Sequence, residues 1–424
     1  MAKIKPFKAL RFNTENAGDI STLVCPPYDI ISPDERAALV KGNEYNMVNL
    51  ELPVGEDKYN KTGKLYREWL EKGILKQDAD DTVYIYEEEF TVKSRVMKIK
   101  GIITRVFLEE FSKGVVLPHE ETLSKAKADR FDLMCATGCN FSQIYSLYND
   151  ADGSVFGRID SLSQRAADVE LKTEDGIIHR LWLVTDKCDI DFFEKAFADK
   201  QLFIADGHHR YETAINYRNK LIADGLVTNE NDDGNFVMMM LVDLENKGLE
   251  VFPTHRLVRD LPDFDLNTVV SKLENDFSVE KIAADADFEA LLEKNNSEKA
   301  FVLYAKDEAY FIKLKNTDAV TKALPDKCDA YNALDVAVLH SVILEPIFNI
   351  DKENMAKQIN LTYTRDIDYA VSVVDSGEFQ CAFILNPTKV SEIRDVALAN
   401  EKMPQKSTYF YPKIITGLVI NKIL

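Results

Sequence analysis

The sequence predicts a mixed α/β protein of more than one domain, on three observations. A chain of 424 residues exceeds what one small core accommodates, and two or three domains of ordinary size fit it. Short apolar runs bounded by turn residues alternate with stretches of helical periodicity along its whole length. From about Pro262 onward this alternation repeats by itself, which sets off a C-terminal α/β region. The expected organisation is an N-terminal α/β segment of residues 1–115 that joins the core, a core of residues 116–260, and a C-terminal α/β domain of residues 261–424. No internal repeat, low-complexity tract or Gly/Ser linker sharpens these edges.

Composition narrows the function classes. The apolar fraction of 46% and charged fraction of 29% are those of an ordinary folded chain. The 71 acidic against 52 basic residues give a formal charge of −19, which works against nucleic acid or an anionic membrane as partner. Six cysteines without a Cys-x-x-Cys spacing point to reduced thiols. The first ten residues carry basic groups without an apolar signal core, and no run of about twenty apolar residues occurs. The expectation is a cytoplasmic protein; nothing here sets its oligomeric state.

In chain order, Pro26-Pro27-Tyr28-Asp29-Ile30-Ile31-Ser32-Pro33-Asp34-Glu35 reads as an extended approach into a helix. Ser32 is its cap, Pro33 fits its first position and Glu35 completes a capping box, so Tyr28 and Asp29 are held in a rigid turn, structural or functional. Thr62 to Gly73 is an amphipathic helix with Leu65, Trp69 and Leu70 inward. Thr82 to Tyr86 and Phe90 to Phe107 read as a hairpin or meander. Pro118-His119-Glu120-Glu121-Thr122 then precedes a helix on which Lys127 and Arg130 share a face. A His-Glu pair after a strand can supply a base or a metal ligand; the basic residues also fit a solvated helix face.

Cys135 and Cys139 read as buried free thiols before a strand at Ile144 to Tyr148, and His179 as a structural residue of the strand that ends at Thr185. Asn229 to Asn235 is an acidic loop without the ligand spacing of a calcium hand. Phe236 to Val242 is an apolar strand, followed by a His255-Arg256 pair where its sheet ends. In the last third, Asn267 to Phe277 and Asp287 to Glu293 read as helices, and Ala300 to Tyr304 with Ala309 to Leu314 as a hairpin. Leu334 to Phe348 reads as a central helix with His340 a satisfied core residue. Strands at Ile359 to Thr364 and Phe379 to Leu385 flank a helix from Asp366 to Asp375. Met403 to Val419 either docks as a strand or closes over a site with Lys406, Ser407, Thr408 and Lys413 as anion contacts.

The most telling stretch is Gln201 to Ala214, where the apolar run Leu202-Phe-Ile-Ala205 breaks into Asp206-Gly207-His208-His209-Arg210 and a helix begins at once. Gly207 lets the chain reverse, the helix start attracts anions, and Arg210 adds a fork of donors for phosphate or carboxylate. Asp206 is either a helix N-cap or a member of a site in which a divalent metal or a transferred proton separates it from phosphate.

Five stretches together resemble the domain-of-unknown-function family ten-fifteen: Cys25-Pro-Pro-Tyr-Asp-Ile-Ile-Ser, His119-Glu-Glu-Thr, Ala205-Asp-Gly-His-His-Arg-Tyr-Glu-Thr-Ala, Pro253-Thr-His-Arg and Ser407-Thr-Tyr-Phe-Tyr-Pro-Lys. The likeness spans nearly the full length, and the family label names no chemistry. The loop at Asp206 is also similar to the Asp-Gly-x-His-Arg loop of the ParB-like and sulfiredoxin-like superfamily, above all to that of its free-serine kinases. The resemblance implies a nucleotide-binding core with Gly207, His208, His209 and Arg210 as phosphate contacts and Asp206 beside the transferred group. It also implies an acid upstream of the loop, for which Glu120 is the candidate. Sulfiredoxins carry a cysteine where this chain has His208, which argues against sulfinic-acid repair.

The resulting expectation is a kinase that uses ATP or ADP and Mg²⁺ on a small hydroxyl metabolite, free L-serine being the specific candidate. Asp206, Glu120 and His119 are its expected catalytic residues, with Asp206 also the metal ligand. Lys127 and Arg130 join the loop as nucleotide contacts, and Tyr28, Asp29, Thr122, His255 and Arg256 are expected to contact substrate. The alternatives are a nucleotide-sensing protein without chemistry and a metal-dependent hydrolase built on the histidines.

Overall fold

The computed structural model describes residues 1–122 and 124–424, Ser124 through its backbone alone, and places nine strands of these residues in one mixed sheet. They are β1 (Ile4–Lys5), β2 (Val83–Val92), β3 (Arg95–Phe107), β4 (Val116–Leu117), β5 (Ile144–Tyr148), β6 (Val169–Lys172), β7 (Ile178–Val184), β8 (Leu202–Asp206) and β9 (Phe236–Asp243). The order is β4-β8-β5-β9-β3-β2-β7-β6, with β1 beside β3. The pairs β8/β4 and β9/β5 are parallel and the others antiparallel. The strands expected at 82–86 and 90–107 form the hairpin of β2 and β3, but the break expected at 87–89 lies inside β2, and the turn falls at Lys93 and Ser94, at φ 47° and 65°, the left-handed pair that suits strand twist.

This sheet lies in a first compact unit formed by Met1–Pro118, Thr122–Leu249 and Pro412–Leu424. Residues 1–115 share this sheet with the segment that follows, since β4 and β8 complete what β2 and β3 begin. The helices of this unit include α1 (Pro33–Gly42), α2 (Lys58–Glu71), α3 (Ser124–Thr137) and α4 (His208–Ala223). The capping box forms as read, with Glu35 N–H donating to Ser32 Oγ at 3.2 Å and Ser32 N–H to Glu35 Oε2 at 2.7 Å. Helices α2 and α3 approach so closely at Gly63 that a Cβ there would lie 2.6 Å from the Ala136 carbonyl oxygen. Cys139 is buried but Cys135 is exposed, contrary to expectation, because Cys135 lies on the outer side of α3.

Strand alternation puts Tyr84, Tyr86 and Glu88 on one face of β2. The Tyr86 hydroxyl is 3.0 Å from Glu88 Oε1 and 2.7 Å from His179 Nδ1, and Thr173 Oγ1 is 3.2 Å from His179 Nε2. Burial raises the Glu88 carboxyl to about 8 and lowers His179 to about 4. The folded state therefore holds a proton on Glu88 that the unfolded chain releases in mild acid. Its contribution is fully present below the unfolded carboxyl pKa and is lost as pH rises towards 8, by at most about 1.4 kcal/mol per pH unit. Glu88→Gln keeps the neutral shape without the titration. His179, lowered from 6.5 to about 4, gives the opposite slope up to pH 6.5, so the urea midpoint of this variant is expected to lose much of the wild-type decline between pH 6.5 and 8; an unchanged decline there would assign it to other groups.

The second unit, His119–Glu121 with Glu250–Tyr411, is built on a six-stranded antiparallel sheet. Its strands are β10 (His255–Val258), β11 (Phe277–Ile282), β12 (Ala300–Ala305), β13 (Glu308–Leu314), β14 (Leu361–Thr364) and β15 (Cys381–Leu385), ordered β11-β13-β12-β15-β10-β14. The expected edge at residue 260 cuts off β10, which lies between β15 and β14 in this sheet. Helix Leu266–Leu273 ends before Phe277, where a strand begins, since Phe277 and Val279 alternate with polar residues once the helix has stopped. The segment expected as one central helix is helical but not uniform: Leu339–Leu344 widens to a π-helix between the α-helical turns Asp335–Val338 and Glu345–Phe348.

Candidate functional site

The loop after β8 is organised by a carboxylate between two cations. Leu202 to Ala205 are buried, and the pairing register of β8 with β5 shifts between Ile204 and Asp206, so the strand delivers Asp206 at its end. Gly207 follows at φ 97°, an angle that favours glycine, and a Cβ there would meet the Arg210 guanidinium at 2.9 to 3.0 Å and push it from its place. Gly207, not Asp206, is the N-cap of α4, and no side chain caps that end. Asp206 turns aside instead: its Oδ2 accepts from Arg210 Nη2 at 2.6 Å and its Oδ1 from Lys413 Nζ at 2.6 Å. The side chains of Asp206 and Arg210 are 21% and 12% exposed. Burial would raise the Asp206 pKa, but Lys413 and then Arg210 outweigh it and hold the carboxylate well below its usual range, with His208 adding in the same sense.

Arg210 also donates to the Gln143 carbonyl. Burial opposes its charge; Asp206, then Asp29, Tyr28 and Glu51, outweigh that and raise its pKa. The rigid turn at Tyr28 and Asp29 thus acts electrostatically on the loop. Burial and Asp29 push the Tyr28 phenol up to about 12, and its ring lies 4.1 Å from the Arg130 guanidinium. Arg130 donates to Asp129 at 2.6 Å and to the Glu51 carbonyl at 2.7 Å. Glu51 is 1% exposed, and its Oε1 accepts from Ser142 Oγ at 2.9 Å. Its pKa is raised by burial, against the opposing pull of Arg130, Ser142 and Arg210. Glu51, Arg130, Asn140, Ser142, Arg210 and Thr213 line a common cleft with about 30 Å³ of internal space, enough for a water or one small polar group.

The first unit therefore holds Tyr28, Asp29, Arg130, Asp206, Gly207 and Arg210 around this cleft and its loop. His208 is buried behind the loop and His209 partly so. Lys127 bonds Glu212 at 2.6 Å, and Thr122 bonds the same carboxylate oxygen at 2.9 Å. His119, Glu120, His255 and Arg256 belong to the second unit. There His119 Nε2 is 3.1 Å from Thr408 Oγ1, Glu120 forms a backbone bridge with Met403, and His255 Nδ1 accepts from the Leu385 N–H at 3.4 Å.

Glu51 was not among the residues expected to act. It lies on the short helix Val48–Glu51, and its burial beside Arg130 distinguishes it. Lys413, read as an anion contact, instead pairs with Asp206. The metal role read for Asp206 finds no support in the donor set: both its oxygens already face cations. Among the described residues, no group of three or more His, Cys, Asp or Glu side chains comes together as a metal site.

Fold and site define a mixed α/β protein with a cation-rich strand-turn-helix loop beside a small cleft lined by both polar and apolar side chains. The chain belongs to the family described as "Protein of unknown function (DUF1015)", whose pattern matches residues 4–337. No curated protein matches the sequence. Among solved structures it is similar to a conserved hypothetical protein from Pyrococcus furiosus, at 16% identity and a TM-score of 0.35, covering 74% of this chain and 94% of that one. It is similar to a free serine kinase in complex with AMP, at 14% identity and a TM-score of 0.37, covering 74% and 89%. SbnI with a C-terminal truncation, from Staphylococcus aureus, aligns at 11% identity and a TM-score of 0.35, covering 75% and 86%. No helix among the described residues is long and apolar enough to cross a membrane.

Proposed function

We propose that the chain is a nucleotide-dependent phosphotransferase acting on a small hydroxyl metabolite, with free L-serine the acceptor to try first. The observation that carries this reading is the convergence, within one unit, of the cations Arg210, Lys413 and Arg130 with a buried carboxyl, Glu51, whose pKa is raised. Phosphoryl transfer asks the protein for positioning and for positive charge where negative charge spreads. Arg210 offers a planar fork to phosphate oxygens, Lys413 a compact charge, and Asp206 holds both until an anion competes for them. Glu51 is our choice of proton acceptor for the incoming hydroxyl, in preference to Glu120, because it lines the same cleft as Arg130 and Arg210. A divalent ion enters this scheme only as a partner of the nucleotide, so no step is assigned to it.

The test is turnover of ATP or ADP by the purified chain with and without L-serine and other small alcohols, across a panel of divalent metals. Acceptor-dependent formation of a phosphorylated alcohol is expected. Saturable nucleotide binding by calorimetry with no product under any condition would replace the kinase with a sensing protein, and no binding at all would remove both readings.

A further inference from the structure

We infer that the second unit holds an oxyanion site of its own, built on Arg256 and His340 beneath the turn at Lys406. Arg256 lies on β10, directly opposite Tyr363 of β14 and Phe383 of β15, and is 0% exposed. Three other largely buried guanidiniums each have a carboxylate: Arg105 pairs with Asp233, Arg130 with Asp129 and Arg210 with Asp206, all at 2.6 Å. Arg256 has none among the described residues. Its Nη1 donates to the Thr254 carbonyl and its Nη2 to the Lys406 carbonyl at 3.2 Å, while Nε has no partner. The guanidinium carbon lies 5.3 Å from the Tyr363 ring centroid. A neutral carbonyl or an aromatic face offsets only part of the cost of a buried charge, and burial accordingly lowers the Arg256 pKa to about 10.

His340 supplies the second observation. Its Nε2 lies 3.4 Å from Arg256 Nη2. Arginine has only donors, so Nε2 is the acceptor and the ring proton sits on Nδ1, which is buried without a partner. The expectation of a satisfied core histidine fails at this atom. Two buried N–H groups, Arg256 Nε and His340 Nδ1, thus lack acceptors, and both want oxygen. The π-helical widening over Leu339–Leu344 carries His340, and such widening is frequent at functional positions. The Lys406 carbonyl occupies a place that a ligand oxygen can take. Lys406 itself is exposed in a turn, at φ 57°, and its carbonyl meets Arg256 Nη2 from that turn.

The ligand class is a small oxyanion with an oxygen for a guanidinium, a carboxylate or a phosphate. Because the proposed phosphotransferase site also attracts anions, the test is made in an Arg210→Met background. Thermal shift and calorimetry are read while sodium phosphate or sodium acetate is titrated against sodium chloride at constant ionic strength. A saturable stabilisation by one of the two oxyanions is expected, and whichever acts identifies the source as phosphate or carboxylate. Adding Arg256→Met should abolish it, and Arg256→Lys should weaken binding at least tenfold. With chloride alone, Arg256→Met should melt no lower than its parent, since it removes a buried charge that nothing pairs. An oxyanion effect absent from the Arg210→Met protein, or one that survives Arg256→Met, overturns the inference; should Arg256→Met fail to fold, unchanged affinity in Arg256→Lys does the same.

Discussion

Asp206→Ala is expected to destabilise the first unit by about 3 kcal/mol, since removing one partner of a largely buried charge cluster takes from the others their nearest counter-charge. Two cations depend on that carboxylate, Arg210 and Lys413, each at 2.6 Å. The figure sits at the low end for buried pairs because the side chain is 21% exposed. The pH dependence comes from the direction of the shift. A carboxylate held below its usual pKa contributes above its unfolded pKa and loses that contribution as pH falls through the folded value. The gap between wild type and variant should therefore be full at pH 6 and close in strong acid. A second signature separates this from a generic loss of packing. If the cations are there to receive phosphate, inorganic phosphate or ATP should raise the melting temperature of Asp206→Ala more than that of the wild type, because the anion takes the place of the missing carboxylate. Equal melting temperatures in water, or equal shifts with phosphate, would sink this account of the loop.

Glu51→Gln is expected to lower acceptor-dependent turnover by roughly 10²- to 10⁴-fold, the usual contribution of a positioned general base. Glutamine keeps the shape and can still accept the 2.9 Å bond from Ser142 Oγ, but it cannot take a proton. Nucleotide affinity should change little, so the loss should fall on kcat and not on the dissociation constant. A matched Glu120→Gln variant is the comparison. Should that variant lose turnover while Glu51→Gln retains it, the proton acceptor lies in the second unit and the assignment to Glu51 is wrong.

Much of the architecture is legible in the chain alone. The capping box at Ser32 and Glu35, the hairpin over residues 82–107 and the strand-turn-helix at Leu202 to Arg210 are local features, set by periodicity and by residues with special backbone demands. Legibility ends where a residue's role depends on neighbours distant in the chain. The strand at Phe277 merges with the preceding helix in the sequence because a short apolar alternation carries both periods. Strands on both sides of residue 116 share one sheet, and sheet pairing of that range leaves no local trace. Glu51 escapes notice because nothing in Val48-Asn-Leu-Glu51 distinguishes a buried carboxyl from a solvated one.

By itself, then, the sequence determined that this is an acidic, mixed α/β chain with a glycine-hinged Asp-Gly-His-His-Arg turn at the end of a buried strand. Those properties derive from composition, periodicity and backbone geometry, and the turn itself is confined to a few consecutive residues. Only the tertiary structure decided what the polar residues of the turn do. It made Asp206 the shared counter-ion of Arg210 and Lys413, brought Glu51 and Arg130 to the same cleft, and among the described residues gave Arg256 no carboxylate. Charge pairing acts through space, and its strength is set by burial, so a carboxylate's partner 207 residues away has no signature in the order of the chain.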